Sequence, residues 1–102
     1  MLYRAVTPGE RASIDRAGGF SNIAGIETKY FATTLEGAQA YARRAAQVFG
    51  DGPFAIVRTR LRTNLIATDM RVTVDGNIDT VTLPTHLLDC LSQPEVVGSP
   101  YD

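Results

Sequence analysis

Few residues in this chain of 102 could do chemistry, and they stand where short apolar runs begin or end. Arg4 lies inside the apolar run Leu2-Tyr3-Arg4-Ala5-Val6, where a half-buried guanidinium must find acceptors, either an internal carboxylate or a bound anion. Tyr30-Phe31-Ala32-Thr33-Thr34 sets two aromatics and two hydroxyls at a strand-to-helix junction. Helix-start amides suit a negative ligand and the rings suit stacking, although core aromatics followed by capping threonines would look the same. Asp79 opens the β-branched run Ile78 to Leu83 and either ends the preceding turn or presents a carboxylate. His86 reads most simply as a helix-start residue. Arg58, Arg60 and Arg62 fall at alternate positions, a solvated strand face or a surface for RNA or an acidic partner.

What is missing excludes more. One histidine and one cysteine, His86 and Cys90, cannot form a histidine acid–base pair, a His/Cys metal cluster or an internal disulfide. There is no Gly-x-Ser-x-Gly elbow and no glycine-rich phosphate loop.

The elements that must position these side chains follow from period and punctuation. Leu2 to Val6 predicts a strand. Thr7-Pro8-Gly9-Glu10 is a capping box with proline at the first helical position, so a helix of about ten residues follows and ends at Gly18-Gly19. Phe20 to Thr28 has no period and reads as a loop. Lys29 to Ala32 predicts a strand, Thr33-Thr34-Leu35-Glu36 a second capping box, and Leu35, Ala38, Ala42, Ala45 and Phe49 the buried stripe of a second helix. Gly50 to Pro53 ends it. Phe54 to Arg62 alternates, with Ala55, Val57, Thr59 and Leu61 on one face. Met70 to Val74 and Ile78 to Leu83 predict a hairpin about Asp75-Gly76-Asn77, and a short helical turn runs from Pro84-Thr85 to Leu91. The order is β, α, β, α, β, β, β with a terminal turn, and an antiparallel hairpin makes the class α+β.

The length suits one domain, expected over 1–91, with 92–102 an irregular tail broken by Pro94, Gly98 and Pro100. No stretch approaches the ~20 apolar residues of a membrane span, and no basic segment followed by an apolar run marks a signal peptide. A soluble protein with no membrane partner is expected. A net charge of −1 hides an asymmetry: residues 1–63 carry nine Lys/Arg against five Asp/Glu, and residues 64–102 one against six. Nine of the ten cations are arginine, which suits a few planar forks for carboxylate or phosphate as well as it suits codon bias.

Taken in order, Leu2-Tyr3-Arg4, then Lys29-Tyr30-Phe31-Ala32-Thr33-Thr34 running into an alanine-rich helix, then Ile78-Asp79-Thr80-Val81 before Leu83-Pro84, resembles the ADP-ribosyltransferase superfamily. The likeness is to the small C-terminal toxin domains of bacterial polymorphic toxins, of the Rhs and contact-dependent systems, and spans most of residues 2–91. It implies short, mostly antiparallel strands in a split sheet, two main helices and a short C-terminal helical turn.

By that resemblance Arg4 holds the ribose and phosphates of NAD, Tyr30 stands beside the nicotinamide with Phe31, Thr33 and Thr34 nearby, and a later strand supplies a carboxylate. The counterpart is Asp79, one methylene shorter than the family's Glu, with Glu36 in reserve. NAD is then a substrate, no metal is needed, and ADP-ribose passes to a macromolecular acceptor, protein or RNA, or to water. The resemblance also implies delivery by a secretion system into a rival's cytoplasm, interbacterial competition, and a cognate immunity protein. Two other classes stay open. One is a metal-independent ribonuclease toxin of the barnase or RelE kind using the arginine row with His86 or Tyr30. The other is a non-enzymatic binding or immunity module.

Overall fold

The computed structural model describes residues 1–21, 28–50, 53–74 and 78–99. In chain order they form β1 (Leu2–Val6), α1 (Pro8–Ala17), β2 (Thr28–Ala32), α2 (Leu35–Phe49), β3 (Ala55–Thr59), two 3-10 turns (Thr63–Leu65 and Thr68–Met70), β4 (Arg71–Val74), β5 (Ile78–Pro84), a 3-10 helix (Thr85–Cys90) and β6 (Glu95–Gly98). The six strands make one antiparallel sheet in the order β4-β5-β2-β1-β3-β6, so the class is α+β. Among the described residues no helix is long and apolar enough to cross a membrane.

Both helices start and stop on their capping residues. The Glu10 amide donates to Thr7 Oγ1 at 3.2 Å, and α1 ends at Gly18, whose φ of 75° is open to glycine at little cost. The α2 cap falls one residue later than the expected box: Thr34, not Thr33, accepts from the Gly37 amide at 2.9 Å. Thr33 lies just past the end of β2, its amide donating to the Asp79 carbonyl at 3.1 Å. Gly50, with φ 69°, ends α2.

Alternation in the strands divides the core between the two sheet faces. On one face Leu2, Val6, Phe31, Val57, Val81 and Leu83 pack with Ile14 of α1, Phe20, and Leu87 and Leu88 of the 3-10 helix. On the other, Ala5, Ala32, Ile56 and Ile78 meet Ala38 and Ala42 of α2. Alanine and glycine let α2 lie close to the sheet: a Cβ on Gly37 would stand 3.3 Å from Ile78 Cγ2 and 3.5 Å from Ala32 Cβ. The expected stripe through Leu35, Ala38, Ala42 and Ala45 faces inward, while the Phe49 side chain lies outside the described set. Ala42 has no exposed surface. Ala42→Leu should therefore overpack this layer and cost about 1–3 kcal/mol, lowering the melting temperature by about 4–8 °C per kcal/mol, as calorimetry would read.

One joint in the sheet is short. β1 pairs with β3 along its whole length, Leu2↔Thr59 to Val6↔Ala55, and β2 pairs with β5 from Thr28↔Pro84 to Ala32↔Thr80. Between β1 and β2 the single register pair is Tyr3↔Ala32. From there toward Val6 and Thr28 the two central strands have no shared register, and the sheet opens between them.

Two expectations are corrected. Residues 92–102 were expected to be an irregular tail, yet β6 lies within them and pairs with β3, Arg58↔Glu95 and Val57↔Val96. The strand expected to reach Arg62 stops at Thr59, and Arg62 precedes the turn at Thr63–Leu65. The short helical turn expected from Pro84-Thr85 to Leu91 is present, as a 3-10 helix over Thr85–Cys90. The proposed hairpin turn Asp75-Gly76-Asn77, most of the loop (22–27), and residues 51 and 52 lie outside the described residues.

Candidate functional site

Arg4 sits where β1 and β2 part. Its Nε donates to Glu10 Oε2 at 2.6 Å and its Nη2 to Glu10 Oε1 at 3.0 Å, while Nη1 reaches across the opening to the Tyr30 carbonyl at 2.8 Å. The guanidinium also lies 6.0 Å from the Phe31 ring centroid. β1 ends two residues after Arg4 and α1 begins with Pro8, so the chain's sharp return brings Glu10 back beside the strand. Lys29 completes the cluster, with Nζ 3.6 Å from Glu10 Oε2. Both readings of Arg4 drawn from sequence bear on this place: an internal ion pair exists, and two of its five N–H donors have no acceptor among the described residues.

The charges here depend on one another. Burial pushes the Glu10 carboxyl up, but the Arg4 hydrogen bond and the charges of Arg4 and Lys29 outweigh it and hold it below 4.5. Burial and the neighbouring Arg4 charge lower Lys29 from 10.5, opposed by Glu10. A carboxyl depressed in the fold lends stability above its unfolded value and loses it as pH falls through its folded value. Stability should thus decline as pH drops below 4.5, and Glu10→Gln should flatten that decline in urea titrations across pH. Lys29, lowered too, gives the same slope in its own range: the fold gains stability as pH rises toward 10.5.

Tyr30 and Phe31 diverge. Phe31 is wholly buried on the α1 side, edge-to-face with Phe20 at 5.0 Å, so it is a core residue. Tyr30 points by alternation to the α2 side, with Ala32, and is 51% exposed. Arg4 and Tyr30 therefore meet through the Tyr30 backbone at the opening, not ring against guanidinium.

Asp79 is not brought to them. Thr33 N and Thr33 Oγ1 both donate to its carbonyl, at 3.1 and 3.4 Å, and Tyr30 pairs three residues further along β5, at Thr82. That offset is about 10 Å along the strand. Asp79 and Glu36 are both exposed and stand at the Thr33–Thr34 end of β2, whereas Arg4, Glu10, Lys29 and Tyr30 stand at the other.

Three residues were not singled out from sequence as functional: Glu10 and Lys29 beside Arg4, and Tyr41 on α2. Glu10 was assigned to the capping box and instead spends its carboxylate on Arg4. Tyr41, 41% exposed, was passed over in an alanine-rich helix. The phase of α2 places it. Gln39 Nε2 donates to the Ser99 carbonyl at 3.0 Å on the β6 side, and Gly37 overlies Ala32 and Ile78 on the β2–β5 side. Tyr41, four residues after Gly37, continues that second flank one turn on. A search for exposed aromatics on one helix flank would have found it.

The remaining candidates are scattered. His86 is exposed at the start of the 3-10 helix. Arg58 Nε donates to Glu95 Oε1 at 2.8 Å and its Nη2 pairs with the same oxygen, while Arg60 and Arg62 lie past the strand end, so the three do not form one continuous face. No His/Cys/Asp/Glu group able to hold a metal occurs among the described residues. No protein-family model, no curated protein and no solved structure matches the chain.

Proposed function

We propose that this domain is a toxin that cleaves NAD at the nicotinamide–ribose bond and passes ADP-ribose to a macromolecular acceptor, or to water. The observation that carries the reading is the hydrogen bond from Arg4 to the Tyr30 carbonyl across the opening between β1 and β2. It joins, across a sequence separation of 26, the two residues that the resemblance assigns to the dinucleotide.

The inventory suits that chemistry. Breaking the bond builds oxocarbenium-like charge on the ribose, so the reaction needs a carboxylate beside the sugar, a cation for the pyrophosphate and an aromatic wall. Arg4, on the α1 side of the sheet, is the cation, and Tyr30, on the α2 side, is the aromatic ring, so a dinucleotide that meets both reaches around the opening between β1 and β2 toward the Thr33–Thr34 end, where Asp79 and Glu36 stand. Thr33 and Thr34 border that end, and Phe31 belongs to the core. The acceptor, a cognate immunity protein and delivery into a target cell's cytoplasm belong to the same proposal.

The test is to incubate the protein with adenylate-labelled NAD and lysate and follow label onto macromolecules. Labelling that Asp79→Ala abolishes and Glu36→Ala spares assigns the carboxylate to Asp79, and the reverse assigns it to Glu36. A second reading, a non-enzymatic binding module, is favoured by the pairing of Arg4 with Glu10 and by the distance from Asp79 to Tyr30. It expects neither labelling nor nicotinamide release.

A further inference from the structure

Two cations and one carboxylate meet beside the β1–β2 opening, so among the described residues the cluster carries one positive charge in excess. Arg4 engages both oxygens of Glu10, at 2.6 and 3.0 Å. Lys29 is left with a 3.6 Å contact to an oxygen that Arg4 already occupies, too long for a good hydrogen bond, although its side chain is only 10% exposed. The stem of Lys29 is packed while its ammonium keeps donors open to an incoming acceptor. The cluster is not sealed: the Arg4 and Glu10 side chains are 23% and 22% exposed, and Glu10, in the first turn of α1, has solvent to swing into.

We infer that Arg4 and Lys29 together form a binding site for a phosphate-bearing ligand, and that Glu10 fills it as an internal stand-in which the ligand's phosphate displaces. The inference rests on the reading that Arg4 meets the phosphates of a dinucleotide, and it adds Lys29 as the second cation and Glu10 as the competitor that sets affinity. A phosphate offers more acceptor oxygens than a carboxylate, so it can take the Arg4 fork and still reach the Lys29 ammonium. The lowered Lys29 proton affinity, caused by burial and then by Arg4, agrees with a site short of negative charge.

The probe is inorganic pyrophosphate, titrated by calorimetry into the wild-type chain, Glu10→Gln, Lys29→Gln, and Asp15→Asn, a charge-matched control on the exposed side of α1. Glutamine at position 10 still accepts from Arg4 but no longer competes as an anion. Glu10→Gln should bind pyrophosphate about tenfold more tightly and Lys29→Gln about tenfold less tightly, each the size of one charge-assisted hydrogen bond, with Asp15→Asn unchanged. Equal affinity in wild type and Glu10→Gln, an equal gain in Asp15→Asn, or no loss in Lys29→Gln would overturn the inference. Circular dichroism reports folding, and should Glu10→Gln fail to fold, Lys29→Gln against Asp15→Asn decides. Nicotinamide release is measured in parallel. Pyrophosphate binding that follows the expected order without nicotinamide release upholds the site and sinks the NAD reading; release with pyrophosphate affinity indifferent to positions 10 and 29 does the reverse.

Discussion

Phe31→Ala should lower the unfolding free energy by about 3–5 kcal/mol, the cost of truncating a wholly buried phenylalanine. Phe31 has no exposed surface and pairs at its backbone with Val81, which also has none. Its ring meets Phe20 edge-on at 5.0 Å and lies beneath the Arg4 guanidinium. Alanine would leave a void in the middle of the sheet that rigid neighbouring strands cannot close. Because domains of this size are stable by about 5–15 kcal/mol in all, the variant should unfold at a much lower urea concentration, or fail to fold. A loss below about 1 kcal/mol, the usual cost of a surface change, would mean that the ring is not at the centre of this core.

Removing residues 92–102 should be comparably damaging. Ser92 bonds the end of β3 four ways: its carbonyl accepts from Thr59 Oγ1 at 2.7 Å, its Oγ lies 3.3 Å from the same hydroxyl and accepts from the Arg60 amide at 2.9 Å, and its amide donates to the Arg60 carbonyl at 3.0 Å. Thr59 is buried, as is Gln39, which would lose the Ser99 carbonyl. Each buried polar group stripped of a partner costs about 1–3 kcal/mol, and loss of β6 would also turn β3 into a bare edge open to intermolecular pairing. A chain ending at Leu91 should therefore be destabilised by at least about 3 kcal/mol and aggregate. A truncated chain that melts with the full-length one would return 92–102 to the status of a tail.

That segment shows where sequence ceases to speak. α1 and α2 were legible because Thr7, the Thr33-Thr34 pair, Gly18 and Gly50 mark their ends locally, β1 and β3 because their alternation is local too, and β4 and β5 because each is a β-branched run. β6 is four residues on a sheet edge, between Pro94 and Ser99, with no period long enough to read. What makes it a strand is the hydrogen-bonding edge of β3, some forty positions away. The candidate site divides in the same way. Arg4 stood out as a charge in an apolar run. Its partner did not, since Thr7-x-x-Glu10 already had a local explanation, and only the turn from β1 into α1 brings Glu10 against the strand. The opening between β1 and β2 is a matter of register between distant strands, and nothing in either strand alone records it.

The most direct measurement of the central claim is free nicotinamide, resolved by chromatography after the purified domain meets NAD with and without cell lysate, beside Arg4→Ala checked for folding. Release by the wild-type chain, cut about a hundredfold or more in Arg4→Ala, as for the loss of a key electrostatic donor, is the result expected here. Absence of nicotinamide in both incubations, from a folded wild-type chain, would contradict it.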